Sequence, residues 1–153
     1  MKLSVIAVGK MSDRRLAGLS DDYRRRLAHH LSVEDREVKK ARSRDANKAM
    51  SEEGERLLEA TPQGALTVAM TEEGKELSSV EVAKQLNQWM IGGRRKVAFY
   101  VGGAHGLSRE VKKSADRRWS LSAMTFPHDV ARMLLWEQLY RAMTIIRGEP
   151  YHK

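Results

Sequence analysis

Two loops, one arginine and the carboxyl-terminal tripeptide are the residues whose types and spacing could do chemistry. In the run Val101-Gly102-Gly103-Ala104-His105-Gly106-Leu107-Ser108, glycines directly after an apolar strand permit a sharp turn. They also let a ligand approach the backbone with no Cβ in the way. Taken alone, that run reads first as a plain strand-to-helix turn. The second loop, Leu121-Ser122-Ala123-Met124-Thr125-Phe126-Pro127-His128, mixes small, hydroxyl and apolar side chains. Such a mixture suits an adenosine pocket, where backbone amides read the base edge and apolar groups sandwich the ring. The same residues also suit a helix start, with Thr125 as the cap, Pro127 in the first turn and Asp129 complementing the dipole. Both readings can hold at once.

Arg132 falls inside the apolar arc of the helix that follows, between Leu139 and Met143. An unpaired arginine there costs on the order of several kcal/mol, so it requires a carboxylate, a phosphate or an interface unless it snorkels out to water. Beside the second loop it reads as a substrate-facing cation. The end, Tyr151-His152-Lys153, is on composition a frayed terminus. It nevertheless groups an aromatic ring, an imidazole and a cation, a set able to grip an unstacked base and its phosphate.

Other chemistries drop out. There is no Gly-x-x-x-x-Gly-Lys-Ser/Thr loop and no Gly-x-Gly-x-x-Gly after the first strand. The five histidines (His29, His30, His105, His128 and His152) have no metal-ligand spacing, and cysteine is absent, so no metal partner and no disulfide framework is expected. Against 20 acidic residues stand 28 lysines and arginines, a net charge of +8. That excess favours a polyanionic partner, because neutralised phosphates release counterions. Charge alone separates neither RNA from DNA nor binding from catalysis. With 153 residues, 41% hydrophobic and 31% charged, one globular domain over residues 1–153 is expected. The opening apolar run is too short for a signal-peptide core, and no stretch is long enough to span a bilayer. The expectation is a cytoplasmic protein with no membrane partner.

These loops need elements to hold them, and strand-like and helix-like segments alternate along the chain. Strands are expected at Leu3–Val8, Val33–Val38, Leu66–Met70, Val97–Val101 and Trp119–Met124. Helices are expected at Leu16–His30, Ala46–Ala60, from Ser78 to the Gly92-Gly93 stop, at Ser108–Ser114, and from Pro127 to Arg147. Ser78 with Glu81 has capping-box spacing, and Leu77 is placed to staple onto Val82. On the last helix Glu137 and Arg141 form an i, i+4 pair placed opposite the apolar arc. Lys39–Asp45 reads as a basic, solvated connection. The alternation predicts an α/β fold, a mostly parallel sheet with helices on both faces. Ligands in such sheets sit beyond the carboxyl ends of strands, which selects Met70-Thr71, Gly102–Gly106 and Leu121–Pro127. The wide apolar arc of the last helix also points to burial against a second subunit.

Taken together, Leu3–Gly9, Val101-Gly102-Gly103 with Gly106-Leu107, Leu121 to His128, Glu137-Gln138-Leu139-Tyr140-Arg141-Ala142 and terminal Pro150-Tyr151-His152-Lys153 resemble the RlmH family. These are bacterial methyltransferases acting on N3 of a pseudouridine in 23S ribosomal RNA. The resemblance runs the length of the chain, and the ordered combination carries it, not any single glycine. It implies a SPOUT-type fold with a C-terminal trefoil knot, S-adenosyl-L-methionine (SAM) as cofactor, the ribosome as substrate and a homodimer. The implied cofactor residues are Met70, Gly102, Leu121, Ser122, Ala123, Met124, Thr125 and Phe126. Arg132, Tyr151 and His152 match substrate positions, and Arg132, His128 and His152 are the catalytic candidates. In that scheme Arg132 stabilises negative charge on the base or its phosphate, His128 or His152 moves the N3 proton, and Tyr151 holds the base. Two departures are modest: Met70 replaces a frequent leucine, and the Ala104-His105 turn is variable. The rival readings are a non-catalytic RNA-binding module, which leaves both loops without a reason, and a SAM enzyme acting on tRNA.

Overall fold

The apolar strands of this chain alternate large side chains to both sides, which requires cover on both faces. In the computed structural model, which describes residues 1–153, that cover is present. The order is β1 (Lys2–Val8), α1 (Arg14–Ala28), β2 (Ser32–Val38), α2 (Ala46–Glu59), β3 (Leu66–Glu76), α3 (Ser79–Ile91), β4 (Lys96–Val101), α4 (Arg109–Ser114), β5 (Arg117–Ser120) and α5 (His128–Arg147). All pairings are parallel, in the strand order β2-β1-β4-β3-β5. On one face Leu3, Val5 and Ala7 of β1 and Val97, Phe99 and Val101 of β4 pack with Leu27, Leu86, Leu135, Trp136 and Leu139 of α1, α3 and α5. On the other, Ile6, Val8, Ala98 and Tyr100 meet Leu57 of α2 and Val111 of α4. Helix α5 packs against both α1 and α3.

The helix ends follow local chemistry. Asp13 caps α1 and Asp45 caps α2 through their carboxylates. The capping box forms at α3, where the Glu81 amide donates to Ser78 Oγ at 3.2 Å and the Ser78 amide donates to Glu81 Oε2 at 2.7 Å. Gly148, at φ 68°, ends α5 in the left-handed region where a side chain is unfavourable.

Three elements have bounds that differ from the sequence reading. Strand β5 begins at Arg117 and stops at Ser120 instead of running Trp119–Met124. Ser120 Oγ donates to the Ser122 carbonyl at 2.8 Å, so the chain turns out of the sheet there. Strand β3 continues past Met70 to Glu76 through a bulge, because Trp119 pairs with both Met70 and Lys75. Gly74 makes that approach possible, since a Cβ there would lie 2.6 Å from the Trp119 carbonyl carbon. Helix α1 ends at Ala28, with His29 as its carboxyl cap, so the paired histidines lie past the helix.

Candidate active site

The strand-to-helix loops beyond β3, β4 and β5 enclose a cleft of about 300 Å³ at the carboxyl edge of the sheet. The glycine run makes one wall. A Cβ at Gly102 would lie 2.5 Å from the Gly106 carbonyl carbon, so the two backbone segments can touch only with glycine there. The Gly106 amide donates to the Gly103 carbonyl at 3.0 Å and Gly106 takes φ 81°, closing a tight turn with Ala104 and His105 exposed at its tip. The opposite wall is the loop after β5, where the Met124 amide donates to Ser122 Oγ at 3.0 Å. Met124 lines the cleft while remaining 74% exposed.

Met70, Gly102, Leu121, Ser122, Met124 and Phe126 all line the cleft, as does His128. Ala123 and Thr125 are exposed and do not line it. Thr125 does not cap α5 either, since Pro127 occupies the cap position and no side chain bonds the first turn. The sequence reading missed the charged rim, where Glu72, Glu73 and Lys112 border the cleft and Lys112 Nζ lies 3.1 Å from Glu73 Oε1. They lie in the β3 bulge and on α4, elements read as ending before or outside the site. A second, more apolar cleft of about 290 Å³ adjoins the first and shares Met70, Ser120, Leu121 and Phe126 with it. Clefts of this size that combine polar groups with apolar surface are typical of small-molecule and cofactor sites.

Arg132 is not on the cleft. It is 4% exposed, with Nη2 donating to Asp35 Oδ1 at 2.8 Å and to Glu37 Oε1 at 3.0 Å, and Nη1 donating weakly to the Gly9 carbonyl at 3.4 Å. The partner demanded by its place in the apolar arc is therefore a pair of carboxylates from β2, not water. The signal was present: Val33, Asp35 and Glu37 share one strand face, and that face turns toward α1 and α5. Burial pushes the Asp35 carboxyl above its ordinary range, against the pull of Arg132. Asp129, read as a dipole complement, is 8% exposed and accepts from the Ser12 amide at 3.2 Å and Ser12 Oγ at 3.3 Å. It ties the loop after β1 to the first turn of α5. Asp129 Oδ1 also lies 3.3 Å from His128 Nε2.

The tail is ordered against α5. Tyr151 donates to Glu137 Oε1 at 3.0 Å, its ring lies 4.7 Å from the Arg141 guanidinium carbon, and its centroid is 4.8 Å from that of Tyr140. Burial, with Tyr23 and Glu137 adding to it, raises the Tyr151 phenol well above its ordinary range, which keeps it a donor. His152 Nδ1 sits 3.3 Å from Arg141 Nη1. The Glu137–Arg141 pair forms at 2.9 Å, but Glu137 is only 8% exposed. The pair forms as helix phase predicts, but the returning tail covers that side of the helix and buries Glu137. Glu137 is nine positions beyond His128, about 13 Å along the helix, and neither Tyr151 nor His152 lines the cleft of its own chain.

Residues 1–152 match the family model described as predicted SPOUT methyltransferase. The chain belongs to the SPOUT methyltransferase family. A Desulfotalea psychrophila protein named ribosomal RNA large subunit methyltransferase H is 43% identical over all of both chains. One of the same name from Chromobacterium violaceum is 41% identical over all of this chain and 99% of its own. The fold is similar to that of a probable methyltransferase from Bordetella pertussis, with TM-score 0.59 at 16% identity over 92% of this chain and 95% of that one. A probable methylase family protein from Haemophilus influenzae superposes with TM-score 0.54 at 12% identity, over 99% of this chain and 70% of that one. The SPOUT chain has no helix long and apolar enough to cross a membrane. It places no group of three or more His, Asp or Glu side chains where they could hold a metal.

Proposed function

We propose that this chain transfers the methyl group of SAM to N3 of a pseudouridine in large-subunit ribosomal RNA, in the cytoplasm and on the assembled ribosome. The observation that carries the reading is the cleft between the Gly102–Gly106 turn and the Leu121–Phe126 loop. One wall is a turn that presents backbone groups at Gly102, Gly103 and Gly106, and Met70, Leu121 and Phe126 add apolar surface where a base would lie. The residues present fit SAM: Gly102, Gly103 and Gly106 line the cleft through backbone atoms alone, the loop after β5 forms the facing wall, and Met70, Leu121 and Phe126 flank the cavity. When bound, SAM supplies an electrophilic methyl group. The chain's own part is to exclude water and hold both reactants in line.

His128 is the catalytic candidate that borders the cleft, with Asp129 beside it to orient the ring. We assign it transfer of the N3 proton. Arg132 lies one turn further along α5 and is engaged with Asp35 and Glu37, so it acts on the site by holding the start of α5 and the loop after β1 in place. Tyr151 and His152 reach a cleft only if it belongs to a second copy of the chain, which makes a homodimer part of this proposal. In it one subunit grips the base that the other methylates. The trefoil knot of the C-terminal segment and the single domain over residues 1–153 are included in the same reading.

Calorimetric titration with SAM, followed by a methyl-transfer assay on ribosomes with the modified nucleotide mapped by mass spectrometry, tests it. Binding together with N3-methylpseudouridine is the expected result, and absence of SAM binding overturns it. Mixing a His128→Ala chain with a Tyr151→Ala/His152→Ala chain tests the shared site. Activity should return in the mixture if the tail works across the dimer. A fully active monomer in sedimentation removes the dimer from the scheme.

A further inference from the structure

The connection between β2 and α2 has no part in the cleft, yet it concentrates charge. Lys39, Lys40, Arg42 and Arg44 fall within six residues that contain no acid. All four side chains are exposed and none makes a salt bridge or a side-chain hydrogen bond within the chain. Four other surface arginines are spent internally, Arg15 on Asp13, Arg24 on Asp21, Arg26 on Asp22 and Arg36 on Glu34, while Arg14, Arg94, Arg95, Arg109 and Arg118 are exposed and unpaired elsewhere on the surface.

A loop of like charges ordinarily repels itself into disorder; this one is pinned. Ala41, in its middle, is buried, and its amide donates to Glu53 Oε1 at 3.4 Å. The Lys39 carbonyl accepts from Arg56 Nη1 at 2.7 Å, and the next acid, Asp45, is committed to the Lys48 amide at 2.9 Å. The cations are thus held outward on a fixed backbone. Buried Glu53 also reaches toward the cleft wall, since a Cβ at Gly103 would lie 3.1 Å from its Oε2.

Position completes the argument. Val8 and Val38 are in register, and the Gly9 amide donates to the Val38 carbonyl at 2.8 Å, so exposed Lys10 emerges beside Lys39. Only β1 separates β2 from β4, whose end opens the cleft. Two strand spacings put the loop about 10 Å from the glycine turn, on the same edge of the sheet. A second basic run, Arg94-Arg95-Lys96, lies where β4 begins, at the opposite edge.

We infer that the Lys39–Arg44 loop is a docking surface for the RNA sugar-phosphate backbone, holding the strand whose neighbouring nucleotide enters the cleft. This rests on the RNA methyltransferase reading above. Phosphate contacts of this kind position a nucleic acid and add affinity without selecting sequence.

The test replaces Lys39, Lys40, Arg42 and Arg44 with glutamine together, leaving Ala41 and the backbone anchors intact. The expected result is a KM for ribosomes raised at least tenfold, with kcat at saturation and calorimetric SAM affinity unchanged. The slope of log affinity against log salt should fall by about 3, near 0.7 for each single-strand phosphate no longer neutralised. Arg94→Gln/Arg95→Gln should leave all of these as in the parent. An unchanged KM in the loop variant, or an equal rise in both variants, overturns the proposal. If the parent chain methylates no ribosomal RNA, that reading fails separately, and filter binding to large-subunit RNA still decides. Weakened binding confined to the loop variant supports the surface, and equal binding by all three proteins ends it. Should the fourfold variant lose its thermal transition, Arg42→Gln alone is read the same way, with a slope change of about 0.7.

Discussion

Helix α5 carries one charged cluster near its start and another around its middle, and the two differ in what they hold. Near the start, Arg132 is closed off from solvent between Asp35 and Glu37 while Asp129 grips Ser12. These contacts join residues almost a hundred or more positions apart and fix the wall of the cleft. Past the middle, Glu137 and Arg141 hold a tail that has already turned back at Gly148, through a phenol hydrogen bond and ring contacts near the surface. The first cluster is framework, and the second is a latch on a short arm. Damage at the first should appear as lost stability, and damage at the second as lost grip on substrate.

The strongest test of that contrast is Arg132→Ala, which leaves the half-closed Asp35 and its neighbour Glu37 without a counter-ion. A destabilisation of about 3–5 kcal/mol is expected in urea unfolding, the range for breaking one partner of a buried pair. A loss below about 1 kcal/mol would show that water reaches the cluster and that the contrast is wrong. Glu137→Gln comes next. It removes the charge that holds both Arg141 and Tyr151, and should cost about 1–3 kcal/mol. Limited proteolysis should then cut beyond Gly148 faster than in the parent chain. Tyr151→Phe deletes a single hydrogen bond, worth about 1 kcal/mol. Its expected mark is a raised KM for ribosomes with SAM affinity unchanged.

The smallest effect concerns the amino end of α1, which follows the Ser12 anchor. The hydrogen bonds from Arg15 hold the Asp13 carboxyl at about 2, below its ordinary 3.8. The folded pKa is depressed, so this contribution is full above the unfolded value and is lost as pH falls from near 4 through 2. Acid unfolding of Asp13→Asn should show a shallower pH dependence in that window alone, with the slope of stability against pH near neutrality unchanged.

Much of this arrangement was legible in the chain before folding. The near-continuous apolar runs of β1 and β4 specify strands buried on both faces. Ser78 with Glu81 specifies a helix start, and Gly148 a stop. The glycines after Val101 and the small residues after Leu121 mark where a ligand could approach, and the structure brings most of them to one cleft. Each of these signals is local: a propensity, a cap or a turn whose physics involves residues a few positions apart.

Tertiary structure decided what depends on distant partners. Arg132 required a carboxylate, but only the placing of β2 beside β1 and beneath α5 selected Asp35 and Glu37. Glu137 is polar by helix phase and buried by fact, because a tail that composition describes as frayed returns to cover it. The β3 bulge exists because Gly74 meets the Trp119 backbone, a contact between segments 45 positions apart that no window along the chain contains. Local rules can state that a group needs a partner, because desolvation is a property of the group itself. Which partner meets the need depends on the loop closures that bring distant segments together, and those are settled only when the whole sheet is assembled.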